Sequence, residues 1–266
     1  MFALPTFIQP SLEKFRHEKK YLLEEADSTP ITLILKRHPA VFREIYYERV
    51  VHNIYFDNHD LDDYYDNING ANIRKKIRLR WYSQEQDFLT TSHSLTPVPQ
   101  LEIKLKQADS VKKIIFNQEK LPAKLITQLP PVIRSYLHLE STPAPVSTKS
   151  ATTTSAPFFP DNSTDSTLFK LGLLHPTVYN SYRRRYYLSA DGKIRATIDQ
   201  DLEFRSINSH QLDLGFAIKP NLSILELKSE LDNLDELTDA AQYLPFLRQR
   251  TSKYALGLAS LERHDY

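Results

Sequence analysis

The chain has 266 residues, 41% of them apolar and 25% charged, with 34 basic and 33 acidic side chains and a formal net charge of +1. That composition supports a sizeable core, and the charge balance excludes a protein that coats nucleic acid or anionic lipid by bulk electrostatics. No cysteine is present, which excludes disulfides, thiolate nucleophiles and cysteine-ligated metals, and five glycines leave no Gly-rich nucleotide loop.

No apolar run reaches the roughly 20 residues of a membrane helix. Met1 to Pro10 lacks the basic start and apolar stretch of a signal peptide, so a cytoplasmic location is expected. Phe15–Leu23 reads as a first strand, although its charge density obscures the period. Ile31–Tyr47 carries apolar residues at helical spacing, and Pro39 predicts a helix that starts after it. Val51–Phe56 is a short β-branched and aromatic run that predicts a strand. Asp57, Asp60, Asp62, Asp63 and Asp66 then surround Tyr64 and Tyr65, which predicts a solvated turn with a helix start rather than a metal loop. Ile73–Tyr82, Leu101–Lys106 and Val111–Asn117 predict three more strands, followed by helical spacing over Leu121–Leu137. From Glu140 to Thr167 the chain is dominated by Ser, Thr, Pro and Ala, too poor in apolar groups to offset its ordering entropy. It is expected to be a flexible insertion (140–167) within a single domain spanning 1–266.

Tyr182–Ser189 and Lys193–Asp199 flank the turn Ala190-Asp191-Gly192, a hairpin signal. Ser223–Lys228 is the last predicted strand and Leu231–Phe246 the last predicted helix. The expected fold class is α+β, an antiparallel β-barrel of about eight strands with flanking helices.

The distribution of charge along these strands points to function. Side chains at i and i+2 share a face. In the third strand Arg74, Lys76, Arg78 and Arg80 share one face, and Ile73, Ile77, Leu79 and Trp81 the other. Glu102, Lys104 and Lys106 oppose Leu101, Ile103 and Leu105; Glu226 and Lys228 oppose Leu225 and Leu227; Arg195, Thr197 and Asp199 oppose Ile194, Ala196 and Ile198. A solvated sheet face accounts for any one of these. Together they are heavy in Arg and in Glu-x-Lys pairs, and Arg offers a planar fork of donors to phosphate oxygens. Strands closing around one axis would line an interior suited to a polyanion and a hard divalent cation.

Arg16-His-Glu18-Lys-Lys20-Tyr21, Ile54-Tyr55-Phe56-Asp57, Ile77-Arg78-Leu79-Arg80-Trp81-Tyr82 and Leu101-Glu102-Ile103-Lys104 occur in this order. Tyr182-Arg-Arg184, Ile194-Arg195-Ala-Thr-Ile-Asp199, Leu225-Glu226-Leu-Lys228 and Ser252-Lys253-Tyr254 follow. This series resembles the catalytic domain of the vacuolar transporter chaperone (VTC) polyphosphate polymerases, members of the triphosphate tunnel metalloenzymes. The resemblance spans about residue 12 to residue 258. It implies that Lys20, Arg78, Arg80, Lys104, Arg184 and Arg195 hold a triphosphate or a growing polyphosphate, with Lys228 and Ser252 in the same set. Tyr182 would orient that chain, Lys253 would lie close to the transferred phosphate, and Arg250 would add a further cation. Lys112 or Lys113 is a further phosphate contact on the same grounds. Glu226, with Glu18 and Glu102, would hold Mn²⁺ or Mg²⁺.

The implied activity is transfer of the terminal phosphate of ATP to inorganic polyphosphate. The alternatives are hydrolysis of tripolyphosphate or a nucleoside triphosphate by the same fold, and non-catalytic polyphosphate binding. Implied partners are ATP or another triphosphate and polyphosphate, with no nucleic acid. The chain supplies no transmembrane segment, which leaves room for a membrane partner. Arg16-x-Glu18-x-Lys20 replaces the Glu-x-Glu-x-Lys opening of the wider superfamily, which counts against a thiamine triphosphatase or adenylate cyclase, and the Ser/Thr-rich insertion also departs from the pattern. Among other candidates, His17, His52 and His59 have no metal-binding helical spacing, and Arg183-Arg184-Arg185 is too short a basic run for nucleic acid in a neutral chain.

Overall fold

The structure is a computed structural model, and it describes residues 16–24, 29–84, 98–107, 110–117, 121, 126–137, 139, 174–208 and 213–263. Among the described residues nine strands alternate irregularly with short helices: β1 (Arg16–Leu23), α1 (Thr29–Arg37), β2 (Arg43–Asp57), α2 (Asp62–Ile68), β3 (Ile73–Ser83), β4 (Gln100–Gln107) and β5 (Ser110–Asn117). After these come α3 (Pro131–Tyr136), β6 (His175–Leu188), β7 (Ile194–Asn208), β8 (Asp213–Leu214), β9 (Ser223–Glu230), α4 (Leu234–Gln242) and α5 (Lys253–Glu262). One antiparallel sheet runs β1-β9-β7-β6-β2-β3-β4-β5, with β8 added to β7. The expected antiparallel α+β architecture is present. Among the described residues, however, no backbone ladder joins β1 to β5, so hydrogen bonds do not close the sheet.

The helix expected after Pro39 is corrected: α1 lies before that proline, and the residues after it form the start of β2. Pro30 is tolerated in the first turn of α1, where its missing N–H is not needed, and Pro39 cannot extend the helix. Arg43 to Val51 is rich in aromatic and β-branched residues, which favour a pleated strand. The expected Leu121–Leu137 helix is not continuous: residues 126–127 are helical, 128–130 leave the helix, and α3 starts anew at Pro131, while residues 122–125 lie outside the described set, as does the 140–167 insertion. Helix α5 was not anticipated.

Packing divides the sheet into an outer and an inner face. On the outer face Ile54, Ile77, Leu79, Trp81, Leu101 and Ile103 pack with Ile133 and Leu137 of and beside α3. Tyr21, Ile194, Ala196, Ile198, Leu225 and Leu227 pack beneath α1 and α4. The inner face is apolar at one end only, where Val51, Tyr55, Val178, Tyr182, Leu202, Phe204 and Ile224 enclose Tyr254 and Leu261 of α5. Gly257 permits this insertion: a Cβ there would lie 2.7 Å from Phe204 Cδ1 and 3.1 Å from Val178 Cγ1. A break in the β6–β7 register between Ser181 and Arg183 faces Asp201, whose φ is +52°. That irregularity shifts the alternation, so Asp199 before it and Leu202 and Phe204 after it all face inward. One strand thereby supplies both the charged part of the inner face and the wall around α5.

The acidic segment after β2 starts a helix as expected, and its turn is solvated at Asp60 and Asp62 but not at its two ends. Asp57 and Asp63 are buried. Asp57 accepts hydrogen bonds from the backbone N–H groups of Asn58 (2.9 Å), Asp63 (3.1 Å) and Tyr64 (3.0 Å), and from the Tyr254 hydroxyl (2.6 Å). One carboxylate thus caps α2 and fastens α5.

Candidate functional site

Charged side chains of β1, β9, β7, β6, β3, β4 and β5 meet on the rest of the inner face. The curl of the sheet is measured by Lys104 Nζ on β4, which lies 3.2 Å from Glu18 Oε1 on β1, near the opposite end of the strand order. Lys76 Nζ on β3 likewise reaches Ser252 Oγ, 2.7 Å away. Ser252 is the N-cap of α5, its Oγ accepting from the Ala255 N–H. That places the positive end of the helix dipole and the first helical residue, Lys253, on the charged face.

Three ion-pair groups make up the site. In the first, β1 and β9 pair Glu18 with Lys228 and Lys20 with Glu226. Lys20 Nζ and Lys228 Nζ each lie 3.3 Å from a Glu226 oxygen, and 3.8 and 3.9 Å from Glu18. Burial raises the Glu226 pKa, but Lys20, Lys228, Arg184 and Lys253 outweigh it and hold the carboxyl well below its ordinary value. Burial and the Glu226 charge both push Glu18 upward, and Lys228, Lys104 and Lys20 bring it down. Glu226 in turn pushes the Lys20 ammonium up against its burial.

In the second group, Asp199 is fully buried and accepts from Arg184 Nε (2.6 Å) and Nη2 (2.7 Å) and from Lys253 Nζ (2.5 Å). Burial would raise its pKa, but these two cations hold it at about 2. Lys253 Nζ and Arg184 Cζ lie 4.6 and 5.2 Å from the Tyr182 ring centroid. Burial raises the Tyr182 pKa, yet Arg184, Arg80 and Lys253 bring it below the ordinary phenol value. Arg80 donates to the Tyr182 hydroxyl (3.2 Å) and to Asn53 Oδ1 (2.8 Å), and Asn53 donates to Asn180 (2.8 Å).

In the third group, Glu102 accepts from Arg78 Nε (2.7 Å) and Nη2 (2.5 Å) and pairs with Lys113 at 3.2 Å and Arg80 at 3.9 Å. Lys76 stands apart. It is directly opposite Lys104, and burial, with Lys20, Lys104, Arg74 and Arg78, drives its pKa well below the ordinary lysine value.

The structure therefore brings Lys20, Arg78, Arg80, Lys104, Tyr182, Arg184, Glu18, Glu102, Glu226, Lys228, Ser252 and Lys253 onto one curled face. Arg195 is on that face by register, opposite Lys228, but is exposed. Arg250 is exposed, its guanidinium near the Gly70 turn. Arg183 and Arg185 point away from Arg184, to Glu48 and Glu44. Sequence reasoning left Asp199, Lys76 and Asn53 out of the site. Their inward parity was readable, but their partners depend on strand order.

Among the described residues no three His, Cys, Asp or Glu side chains form a metal-binding group, so Glu18, Glu102 and Glu226 are not one ligand set. The adjacent, ionised Glu18 and Glu226 fit Mg²⁺ or Mn²⁺, which take one or two carboxylates and complete their shell with water and phosphate oxygens. Glu102 is engaged by its three cations.

Several solved structures are similar over most of the chain. The PH1819 protein of Pyrococcus horikoshii OT3 is 13% identical with a TM-score of 0.43, covering 93% of this chain and 100% of that one. A protein of Vibrio parahaemolyticus described as a candidate adenylate cyclase is 12% identical with a TM-score of 0.45, covering 92% and 98%. A candidate adenylyl cyclase of Hippeastrum, described as having a dominant triphosphatase activity, is 13% identical with a TM-score of 0.43, covering 91% and 94%. No curated protein matches. The VTC domain matches residues 15–262, nearly the whole length, and the chain belongs to the VTC domain family.

Proposed function

We propose that this protein is a metal-dependent phosphotransferase that moves the terminal phosphate of ATP onto inorganic polyphosphate. The observation that carries this reading is the meeting of β1, β3, β4, β6, β7, β9 and the start of α5 on one inner face where cations outnumber carboxylates. Phosphoryl transfer needs positioning and charge neutralisation more than covalent help from the protein. Arg78, Arg80 and Arg184 present forked donors to the phosphates, while Lys20, Lys104 and Lys228 supply mobile point charges. Tyr182, held between Arg80 and Lys253, fixes the direction of the chain end. Lys253 lies at the head of α5, where helix dipole and ammonium act together on the transferred phosphate. Glu226 and Glu18 would hold the divalent ion, which would neutralise charge on the phosphates when bound. Asp199 and Glu102 keep Arg184, Lys253 and Arg78 aimed inward, and Arg195 and Arg250 extend the positive field outside.

The test is incubation with ATP and Mn²⁺, followed by sizing of the phosphate product. Chains longer than three units are expected, and orthophosphate alone would sink the polymerase reading in favour of a hydrolase. Replacing Arg184 should remove on the order of 2–4 kcal/mol of transition-state stabilisation. If Glu226→Gln leaves turnover unchanged while polyphosphate still binds, the metal assignment is wrong.

A further inference from the structure

Beyond the phosphate-lined part of the inner face, at the end away from α5, the side chains change character. Arg49 on β2 is directly opposite Arg184 on β6, and Tyr46 is directly opposite Tyr186. Opposite residues in an antiparallel pair share a face, and Tyr186 follows Arg184 by two positions, so all four side chains face inward. Tyr82 joins them, two positions beyond Arg80 on β3. The Arg49 guanidinium carbon lies 4.8 Å from the Tyr186 centroid, 5.2 Å from Tyr82, 5.7 Å from Tyr46 and 5.9 Å from Tyr47. The Tyr46 and Tyr186 rings meet edge to face at 5.9 Å. Tyr46 is 57% and Tyr82 38% exposed, so the group forms a rim rather than a core. Arg49 has no carboxylate partner among the described residues, and its buried Nε has no hydrogen-bond partner.

Arg184 is committed to Asp199, whereas the contacts of Arg49 among the described residues are with rings. An inorganic phosphate chain gains nothing from a tyrosine ring, but a base offers a flat π-face to it and acceptors to a guanidinium. One two-residue step of strand, about 7 Å, separates Arg184 from Tyr186 and Arg80 from Tyr82. That step is comparable to the ribose between a phosphate and its base.

We propose that Tyr46, Tyr82 and Tyr186, ordered around Arg49, form a clamp for the nucleobase of a nucleoside triphosphate whose phosphates lie among Arg80, Arg184 and Lys253. This rests on the phosphate-site reading above and adds to it a place for the base of the nucleotide donor. The clamp distinguishes a nucleotide donor from inorganic tripolyphosphate, which fills the cationic part of the face and leaves the rim empty.

The test is a calorimetric comparison of ATP and tripolyphosphate, both with Mg²⁺, on the wild-type chain and on Tyr82→Ala, Tyr46→Ala and Tyr82→Phe. Loss of a stacking ring should weaken ATP about tenfold and leave tripolyphosphate within twofold, and Tyr82→Phe should behave as wild type. Unchanged tripolyphosphate binding also reports that the variants fold. Equal loss for both ligands, or no loss for ATP, would overturn the clamp and leave the phosphate site standing. If the wild-type chain binds neither ligand, the phosphate-site reading fails and the clamp fails with it.

Discussion

Asp199→Asn is the most informative perturbation, because it removes one charge and changes shape little. Asp199 is 0% exposed and takes three close contacts from Arg184 and Lys253, themselves only 12% and 13% exposed. Neutralising it leaves two nearly buried cations without the carboxylate they contact, with only the more distant Glu226 as counter-charge, and breaking a buried ion pair from one side costs about 3–5 kcal/mol. For a chain of this size each kcal/mol moves the melting temperature by about 2–4 °C, so a fall of roughly 6–20 °C is expected. A polyanion supplies the missing charge to the same two cations. The variant should therefore regain stability with tripolyphosphate and gain more from it than the wild type, for which a ligand at about 100 times its Kd adds about 2.7 kcal/mol. Urea unfolding at low ionic strength, with and without tripolyphosphate and Mg²⁺, measures both quantities. A loss below about 1 kcal/mol, or a ligand gain no larger than in the wild type, would refute this account of Asp199 as an internal stand-in for substrate.

Further outcomes follow from the same electrostatics and packing. Lys76, its pKa depressed by burial and neighbouring cations, should take up a proton as a triphosphate arrives and raises that pKa. Calorimetry at mildly alkaline pH in buffers of different ionisation enthalpy should show net proton uptake that Lys76→Met abolishes; the same uptake in the variant would exclude Lys76 as its source. Asp63 is pushed up to about 7, chiefly by burial, with Lys75 opposing and Asp57 and Asp66 adding to the shift. A carboxyl with a raised folded pKa loses stability as pH climbs from its unfolded value near 4 to about 7. Denaturation curves across that range should therefore show a downward slope that Asp63→Asn flattens, and identical slopes would contradict the burial account. Gly257→Ala should cost about 1–3 kcal/mol through overlap with Phe204 and Val178, and should lower activity by moving the helix that carries Lys253. Normal stability with normal activity would mean that α5 is not tightly seated.

Much of this arrangement was legible from alternation alone. Arg78 and Arg80 against Leu79 and Trp81, and Glu226 and Lys228 against Leu225 and Leu227, separate in the structure onto inner and outer faces as the period of two requires. What alternation cannot give is the identity of a neighbour. Lys20 meets Glu226 because β9 lies between β1 and β7, an order set by long-range pairing. Asp199 looked like one more polar residue in an alternating run, and only the shift at Asp201, with α5 behind it, makes it the anchor of Arg184 and Lys253. Pro39 was placed at the wrong end of its helix because a proline marks a boundary without giving its direction. The aromatic rim was hidden for another reason: Tyr46 and Arg49 fall in an irregular stretch of β2 where two register shifts erase the period.

The seam between the two ends of the sheet has a consequence for traffic. A barrel closed by a continuous backbone ladder is a pipe, and a long polymer enters it only by threading from one end. Here the contact of β1 with β4 is made by a carboxylate and an ammonium, which part and reform without unzipping a strand and which dissolved salt weakens. Among the described residues no ladder closes that seam, so on the phosphotransferase reading proposed above a long phosphate polymer would be admitted sideways.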